Sequence, residues 1–419
     1  MVNRNSVLVL ALAAPLLMTA CGGGDDGPSA EEGGTLTIAN WQWLEPTRGE
    51  AIWAAVQGYE EQNPEATLQK QEITRADYEN TLQTQIGAGE GPDLMVVPNT
   101  FFPMLAEAGA LEPLDGVLDD DQLARLNSTN EDAEVDGEQL GFTWEVVNYA
   151  FFWNQTVLDE AGVAAPTTPE ELVTAAQQIQ QRTGVTGFGV RHLMNEQAAW
   201  WTDFAAWPYG FDGGWSDGEN LTIDSDENIA AVQAYKAVYD SGAFPIGDDA
   251  STMRSSFAQG QLAMMIDNSA AVTAMIEGND AVGHDEIGVS SLPFPGEGTV
   301  RDHAYIVVNA NSEHTELAKD FIRWLYTEEV QEEIHAAMGA SALGADSEPP
   351  ADYVAERPWV PMFLEQTENS RSAVIEGFET QTAEISTIVL NQISRILTED
   401  VPVDEALAEA QASAEEAVQ

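Results

Sequence analysis

Tryptophan is the residue whose placement in this sequence most directly suggests chemistry. The chain carries 11 tryptophans. An indole ring is a large rigid surface that stacks on the flat C–H faces of a sugar ring, while neighbouring polar groups bind the hydroxyls. Four of the 11 fall within one short stretch and are the first candidate ligand contacts: Trp200, Trp201, Trp207 and Trp215.

Two interpretations of this stretch compete. Pro208 and several glycines interrupt it, which predicts a loop and favours at least one tryptophan that faces a ligand. Trp200, Phe204 and Trp207, in contrast, have the spacing of one helical face, which predicts that one or two of the rings pack in a core. We expect the loop, with at least one ring available for stacking.

Further candidates lie next to predicted strands. Trp41 and Trp43, with the polar residues Gln42 and Glu45 beside them, come directly after an apolar segment at residues 36–39. Ligands of open α/β sheets bind beyond the carboxyl ends of strands. The alternative is that both rings pack on the first helix. Candidates that directly follow or precede other predicted strands are Asn99, Thr100, Asn268, Asp302 and His303.

Sequence signatures of catalysis are absent. There is no G-x-S-x-G elbow, no phosphate-binding Walker loop and no H-E-x-x-H helix. The 5 histidines lack metal-ligand spacing, and the single cysteine offers them no partner. The sequence therefore predicts a protein that is not an enzyme and uses no metal or other cofactor. Chance carboxylate pairs among 71 acidic residues leave glycoside hydrolysis open as an alternative.

The elements that would position these candidates alternate between strands and helices. Short apolar segments at residues 36–39, 94–97 and 262–266 indicate buried strands, and amphipathic spacing between them predicts helices. Alternation of this kind produces parallel strands with crossover helices, hence an α/β fold. A chain of 419 residues, 44% of them hydrophobic, is long enough for more than one core.

The charge balance restricts the partners of the protein. With 71 acidic against 15 basic residues, the formal net charge is −56, which repels nucleic acid and anionic membrane surfaces. Self-repulsion of this kind destabilises a compact chain unless salt screens it, and the Debye length falls to about 3 Å in molar salt. We interpret the composition as an adaptation to high salt. The alternative is an acidic surface that only keeps the protein soluble.

The N-terminus has the features of an export signal. Arg4 precedes an apolar segment too short to span a bilayer, and small residues then lead to Cys21, the only cysteine. Residues 17–21 resemble a bacterial lipobox, which implies cleavage before Cys21 and lipidation of that residue. We therefore predict a lipoprotein signal peptide at 1–20, a flexible tether at 21–34 and a lipid anchor at the extracellular face of the cell membrane. An ordinary secretory signal is the alternative.

Short motifs follow one another in a particular order along the mature chain. They include GPDL at 91–94, LAEAGALEPLD at 105–115, PTTPEE at 166–171, FAQGQLAMM at 257–265 and AKDFI at 318–322. In order and spacing they resemble the extracellular solute-binding proteins of ABC importers, in the sugar-binding group that includes maltose-binding protein. The resemblance covers nearly the whole mature chain.

This resemblance implies a periplasmic-binding-protein-like fold, in which hinge strands join two α/β lobes with the ligand cleft between them. Trp144 and Glu145 would lie at the first hinge crossing, which makes them ligand-binding candidates. The implied lobes are an N-terminal one at 35–144 with 304–344 and a C-terminal one at 145–303 with 345–419.

The function that the resemblance implies is binding without catalysis. A monomeric protein would capture a sugar or oligosaccharide by hinge closure and deliver it to the membrane permease of an ABC transporter. Two alternatives stay open. One is a binder of another small polar solute, such as a compatible solute, whose positive charge would need a carboxylate within an aromatic box. The other is an exported carbohydrate-active enzyme that uses an acid pair in the same cleft.

Overall fold

The structure, a computed structural model, describes residues 34–45, 48–75, 77–276 and 282–419. Cys21, the predicted signal peptide and most of the predicted tether lie outside this part of the chain. Within it, nine strands form one mixed sheet and two others form a small separate pair. In chain order the strands are β1 (Thr35–Ala39), β2 (Thr67–Gln71), β3 (Leu94–Pro98), β4 (Glu134–Val135), β5 (Glu138–Gln139), β6 (Phe142–Asn154), β7 (Thr186–Gly189), β8 (Leu262–Asn268), β9 (Ile287–Ser290), β10 (Thr299–Val308) and β11 (Ser370–Ser372).

Helices connect these strands, so the predicted alternation is confirmed. Among the described residues, none of the helices has the length and apolar character needed to cross a membrane. The α-helices are α1 (Arg48–Gln62), α2 (Tyr78–Gly87), α3 (Phe102–Glu107), α4 (Asp120–Leu123), α5 (Gln155–Ala161), α6 (Pro169–Thr183), α7 (Gln197–Gly210), α8 (Asp226–Tyr239), α9 (Ala250–Ala258), α10 (Ser269–Ile276), α11 (Thr315–Leu325), α12 (Glu328–Met338), α13 (Ala351–Glu356), α14 (Val360–Glu365), α15 (Thr382–Glu399) and α16 (Val403–Ala417).

Two long strands occupy the centre of the main sheet. Its order is β2-β1-β3-β10-β6-β8-β7, with β11 beside β10 and β9 beside β6. β1 is parallel to β2 and β3, and β7 is parallel to β8, whereas β10 is antiparallel to both β3 and β6. The first half of β6 pairs with β10 and the second half with β8 and β9. β6 and β10 therefore run through both halves of the molecule, while the exact lobe boundaries stay a prediction.

Separate hydrophobic cores form at the two ends of the sheet. At the β1 end, Ile38 and Ile306 belong to the core on one face, and Val97 and Tyr305 to the core on the other. At the β7 end, two further cores contain helices α6 to α10 and the C-terminal helices. The sheet is thus covered on both faces in each half, which is the predicted two-lobed α/β arrangement.

The stretch with four tryptophans departs from the prediction. Much of it forms helix α7, and every residue from Trp200 to Gly210 is buried. A helix that is apolar on all sides lies inside a core. Gly213 and Gly214 come after the helix has ended and therefore do not interrupt it. The prediction of a loop in this stretch is wrong.

Candidate ligand-binding cleft

A cavity of about 470 Å³ lies beside the central strands, beyond the carboxyl end of β1. Ligand sites of open α/β sheets occupy this position. Its walls combine one tryptophan with several charged and polar side chains, a mixture suited to a small polar ligand. The lining residues are Trp41, Gln42, Leu44, Glu45, Arg48, Thr74, Arg75, Pro98, Glu145, Val147, Asn268, Ala270, Asp302, His303 and Ala304.

The loop after β1 forms the first wall. Asn40 Oδ1 accepts the backbone N–H of Gln42 at 2.9 Å, and this cap turns the chain into a short 3-10 helix at Trp41–Leu44. The amide of Gln42 then contacts two residues of β6. Its Nε2 donates to Glu145, and its Oε1 accepts from the indole Nε1 of Trp144 at 2.8 Å. These bonds fix the loop against the central strand.

Arg48 connects two acidic residues of the cavity. Its Nη1 lies 2.6 Å from Glu45 Oε2, and its Nη2 donates to Glu145. Burial raises the pKa of Glu45, while the positive charge of Arg48 acts in the opposite direction. The carboxylates of Glu45 and Glu145 therefore both form ion pairs with the guanidinium of Arg48.

β10 contributes Asp302 and His303. Burial raises the pKa of Asp302 to about 6, and the positive charge of Arg75 opposes this shift. Burial also lowers the pKa of His303 well below its ordinary value, so its imidazole is neutral at pH 7. The Nε2 of that ring is hydrogen-bonded to the hydroxyl of Tyr305. Because Tyr305 lines a larger cavity on the other face of β10, the His303 ring is directed away from the smaller one, to which β10 presents the Asp302 carboxylate.

Asn268 reaches the cavity from the end of β8. Its side-chain Oδ1 accepts the backbone N–H of Ala271 at 2.9 Å, and its backbone N–H donates to Asp267 Oδ1 at 2.9 Å. Asp267 in turn accepts two hydrogen bonds from Arg254, at 2.7 Å from Nε and 2.8 Å from Nη2. This bidentate pair fixes the end of the strand that carries Asn268.

A second buried ion pair lies behind Asn268. Arg191 Nη1 is 3.0 Å from Asp203 Oδ1, which also accepts the hydroxyl of Tyr149 at 2.7 Å. Burial raises the pKa of Asp203 to about 6, and Arg191 opposes the shift. The Nδ2 of Asn268 lies 3.4 Å from the Tyr149 hydroxyl, so the pair is linked to the cavity. Sequence reasoning missed Arg191, Asp203 and Tyr149, together with Arg254.

The predicted site residues lie in several different places. Those that line the cavity together are Trp41, Glu45, Glu145, Asn268, Asp302 and His303. Trp43 and Trp144 are core residues, each 4% exposed, and Trp43 Nε1 donates to the carbonyl of Ile38 at 3.1 Å. Trp43 therefore agrees with the alternative interpretation of the loop after β1, in which the rings pack on the first helix. Thr100 is exposed and lines neither this cavity nor the larger one on the other face of β10.

The larger cavity, of about 800 Å³, is separated from the first by β10. Alternate residues of the strand face the two spaces: Asp302 and Ala304 line the smaller cavity, whereas Arg301 and Tyr305 line the larger. We assign the ligand to the smaller cavity, in spite of its size, because it lies at the carboxyl end of β1 and is lined by more of the predicted residues than the larger cavity.

The remaining predicted residues lie away from the smaller cavity. Asn99 and Trp215 line the larger one, where Asn99 Nδ2 donates to Ser372 Oγ at 3.1 Å. The rings that line neither cavity and pack in the core around α7 are those of Trp200, Trp201 and Trp207. The structure therefore does not place a four-tryptophan stacking surface at the cleft.

A two-lobed α/β molecule with central strands that run through both halves has the fold of periplasmic binding proteins of the maltose-binding type. The chain belongs to the family of bacterial extracellular solute-binding proteins, whose profile matches residues 54–358. The family that the sequence motifs indicated is thereby confirmed.

Individual relatives are distant but similar over most of their length. The GacH receptor of Streptomyces glaucescens, solved unliganded and with acarbose, has a TM-score of 0.79 at 22% identity, covering 92% of this chain and 98% of that one. The cyclic α-maltosyl-1,6-maltose binding protein of Arthrobacter globiformis has a TM-score of 0.79 at 21% identity, covering 91% and 98%. A Brucella abortus chain described only as a binding protein is 24% identical over 364 residues, 85% of this chain and 87% of the relative.

Proposed function

We propose that the protein binds a sugar or oligosaccharide in the 470 Å³ cavity and delivers it to the permease of an ABC importer. The observation that carries this proposal is the convergence of Trp41, Asn268 and Asp302 on one cavity from three distant segments of the chain. The names of the two solved relatives, which refer to acarbose and to a cyclic maltosyl-maltose, support an oligosaccharide ligand.

The side chains of the cavity match an uncharged ligand rich in hydroxyl groups. The indole of Trp41, whose ring meets that of Tyr78 edge to face with centroids 5.2 Å apart, offers an apolar surface for a sugar ring. The carboxylate of Asp302 can accept hydrogen bonds from sugar hydroxyls, and guanidinium groups can donate hydrogen bonds to the oxygens of those hydroxyls. An uncharged ligand also leaves the existing pair of Arg48 and Glu145 intact, so no buried charge loses its partner.

Hinge closure is the second part of the proposal. β6 and β10 would bend between the lobe at 35–144 with 304–344 and the lobe at 145–303 with 345–419. Closure would bring Asn268, at the end of β8, towards Trp41, at the end of β1, around the ligand. The closed form would then present both lobes to the permease.

Calorimetric titration with maltotriose in molar salt tests the binding function. We expect Trp41→Ala to weaken binding roughly tenfold or more, because it removes the stacking surface. Trp153→Ala is the matched control, since Trp153 is half-buried and lines neither cavity. Equal affinities of the two variants would contradict the assignment of the ligand to this cavity.

The alternatives are separated by what happens to the ligand and by which ligand binds. A binding protein returns maltotriose unchanged after prolonged incubation, whereas an exported carbohydrate-active enzyme would release smaller sugars that chromatography detects. A compatible-solute binder would be stabilised by osmolytes rather than by sugars in a thermal-shift screen, because a ligand that binds the folded state raises the melting temperature.

We also propose that Cys21 carries the lipid anchor and holds the mature protein at the extracellular face of the membrane. One acyl chain binds a membrane only marginally, so more than one chain is expected on the mature N-terminus. Cys21→Ser should release the protein into the medium or leave it unprocessed. A Cys21→Ser protein of mature length that stays membrane-bound would contradict the anchor.

A further inference from the structure

Arg75 lies over the one tryptophan of the cavity. Its guanidinium carbon is 5.2 Å from the centroid of the Trp41 ring, within the range of a cation–π contact. Its Nη1 lies 3.0 Å from Glu79 Oε1, in an ion pair whose side chains are 52% and 41% exposed. The charged group of Arg75 therefore rests on the aromatic surface at the edge of the cavity while its outer side faces solvent.

Asp302 supplies a negative charge to the same cavity. Among the described residues, no cationic group lies within 4.0 Å of its carboxylate, whereas Glu45 and Glu145 both pair with Arg48. Arg75 is the positive charge with the strongest influence on Asp302. The charge of Asp302 is therefore balanced across the cavity by Arg75 and not by a contact partner.

An aromatic face near a carboxylate is the arrangement that binds an organic cation such as a quaternary ammonium group. The net charge of −56 raises the concentration of cations at every opening of this protein. Without Arg75, the Trp41 ring and the Asp302 carboxylate would form such a site. In the structure, the guanidinium of Arg75 already lies over the Trp41 ring, where the cation of such a ligand would stack.

We propose that Arg75 determines the specificity of the cleft by excluding organic cations from the site between Trp41 and Asp302. Uncharged, hydroxyl-rich molecules are then the ligands that enter without opposing the charge of Arg75. This inference rests on the proposed function for the identity of the preferred ligand. The competing interpretation is that Arg75 only forms an exposed ion pair with Glu79, which would leave cation binding unaffected by its removal.

The test compares the affinity of the wild type and of Arg75→Gln for two probes, choline and maltotriose, at one fixed molar salt concentration. Arg395→Gln is the matched control, because it removes the same charge from an exposed pair with Glu409 on the surface of α15 and α16. The readout is the ratio of the choline affinity to the maltotriose affinity, measured by tryptophan fluorescence and calorimetry.

We expect this ratio to rise by roughly tenfold or more in Arg75→Gln and to stay at the wild-type value in Arg395→Gln. Adding Trp41→Ala to Arg75→Gln should abolish the gained choline binding. An unchanged choline affinity in Arg75→Gln, or an equal rise in Arg395→Gln, would overturn the proposal. Absence of maltotriose binding in all variants would refute the proposed function, while the choline comparison would still decide the role of Arg75.

Discussion

The guanidinium of Arg254 donates to both carboxylate oxygens of Asp267, from Nε at 2.7 Å and from Nη2 at 2.8 Å. The carboxylate is 3% exposed, so Arg254→Ala would leave a buried charge without its cation. We expect the free energy of unfolding in urea to fall by about 3 kcal/mol. Arg395→Ala breaks only exposed pairs and should cost less than about 1 kcal/mol. Equal losses would show that the Asp267 pair does not stabilise the strand end.

Trp207 and Trp41 should respond differently to truncation. Trp207 is fully buried in the core around α7, so Trp207→Ala is expected to lower the stability of the ligand-free protein by about 3–5 kcal/mol. Trp41 is half-buried at a cavity, and Trp41→Ala should cost much less stability. Thermal and urea unfolding without ligand measure both. A Trp207→Ala protein that unfolds like the wild type would contradict the core position of α7.

The raised pKa of Asp302 predicts a pH dependence of stability. Its pKa is about 6 in the folded state and near 3.9 in an unfolded chain. The folded state therefore binds more protons between these values, and the contribution of this residue to stability falls as the pH rises from about 4 to 6.

Asp302→Asn should remove that contribution. Relative to the wild type, the variant should gain stability on the order of 2 kcal/mol as the pH rises from about 4 to 7, in urea unfolding at several pH values. Glu160→Gln is the control, because it changes an exposed acid on α5. Its stability relative to the wild type should stay nearly constant across this pH range. A constant difference for Asp302→Asn as well would show that its pKa is not raised.

Salt should stabilise the whole protein. The net charge of −56 causes repulsion between surface carboxylates, and this repulsion is screened as the Debye length falls from about 10 Å at 0.1 M to 3 Å at 1 M. We expect the urea midpoint to rise steadily across this range of sodium chloride. A midpoint that is independent of salt would leave solubility as the reason for the acidic surface.

Local patterns predicted most of the elements correctly. The burial of Ile52, Val56 and Tyr59 on α1 and the cap that Thr168 forms at α6 follow from spacing and residue type alone. The loop prediction for α7 fails because Pro208 and the glycines after the helix are typical of loops, whereas the uniformly apolar composition of the segment makes it a buried helix. Turn-forming residues near the end of a helix predict a turn there, but they do not predict the structure of the residues before them.

The site was harder to predict than the fold, because its partners come from distant parts of the sequence. Arg191 follows β7 in the same way that Asn268 ends β8, so the rule about strand ends could have selected it. Tyr149 and Asp203 are 54 residues apart, and nothing local to either residue indicates their hydrogen bond. Arg75 is likewise an ordinary surface arginine in the sequence, and only the folded chain brings it over Trp41.

The position of β10 between β3 and β6 determines when this sheet can be completed. Both neighbours are synthesised well before β10, and until residue 308 has emerged they present unpaired strand edges to other chains. Pairing between strands so distant in sequence is intrinsically slow. We therefore expect the two halves of the sheet to join only after β10 has emerged, late in the synthesis of the chain.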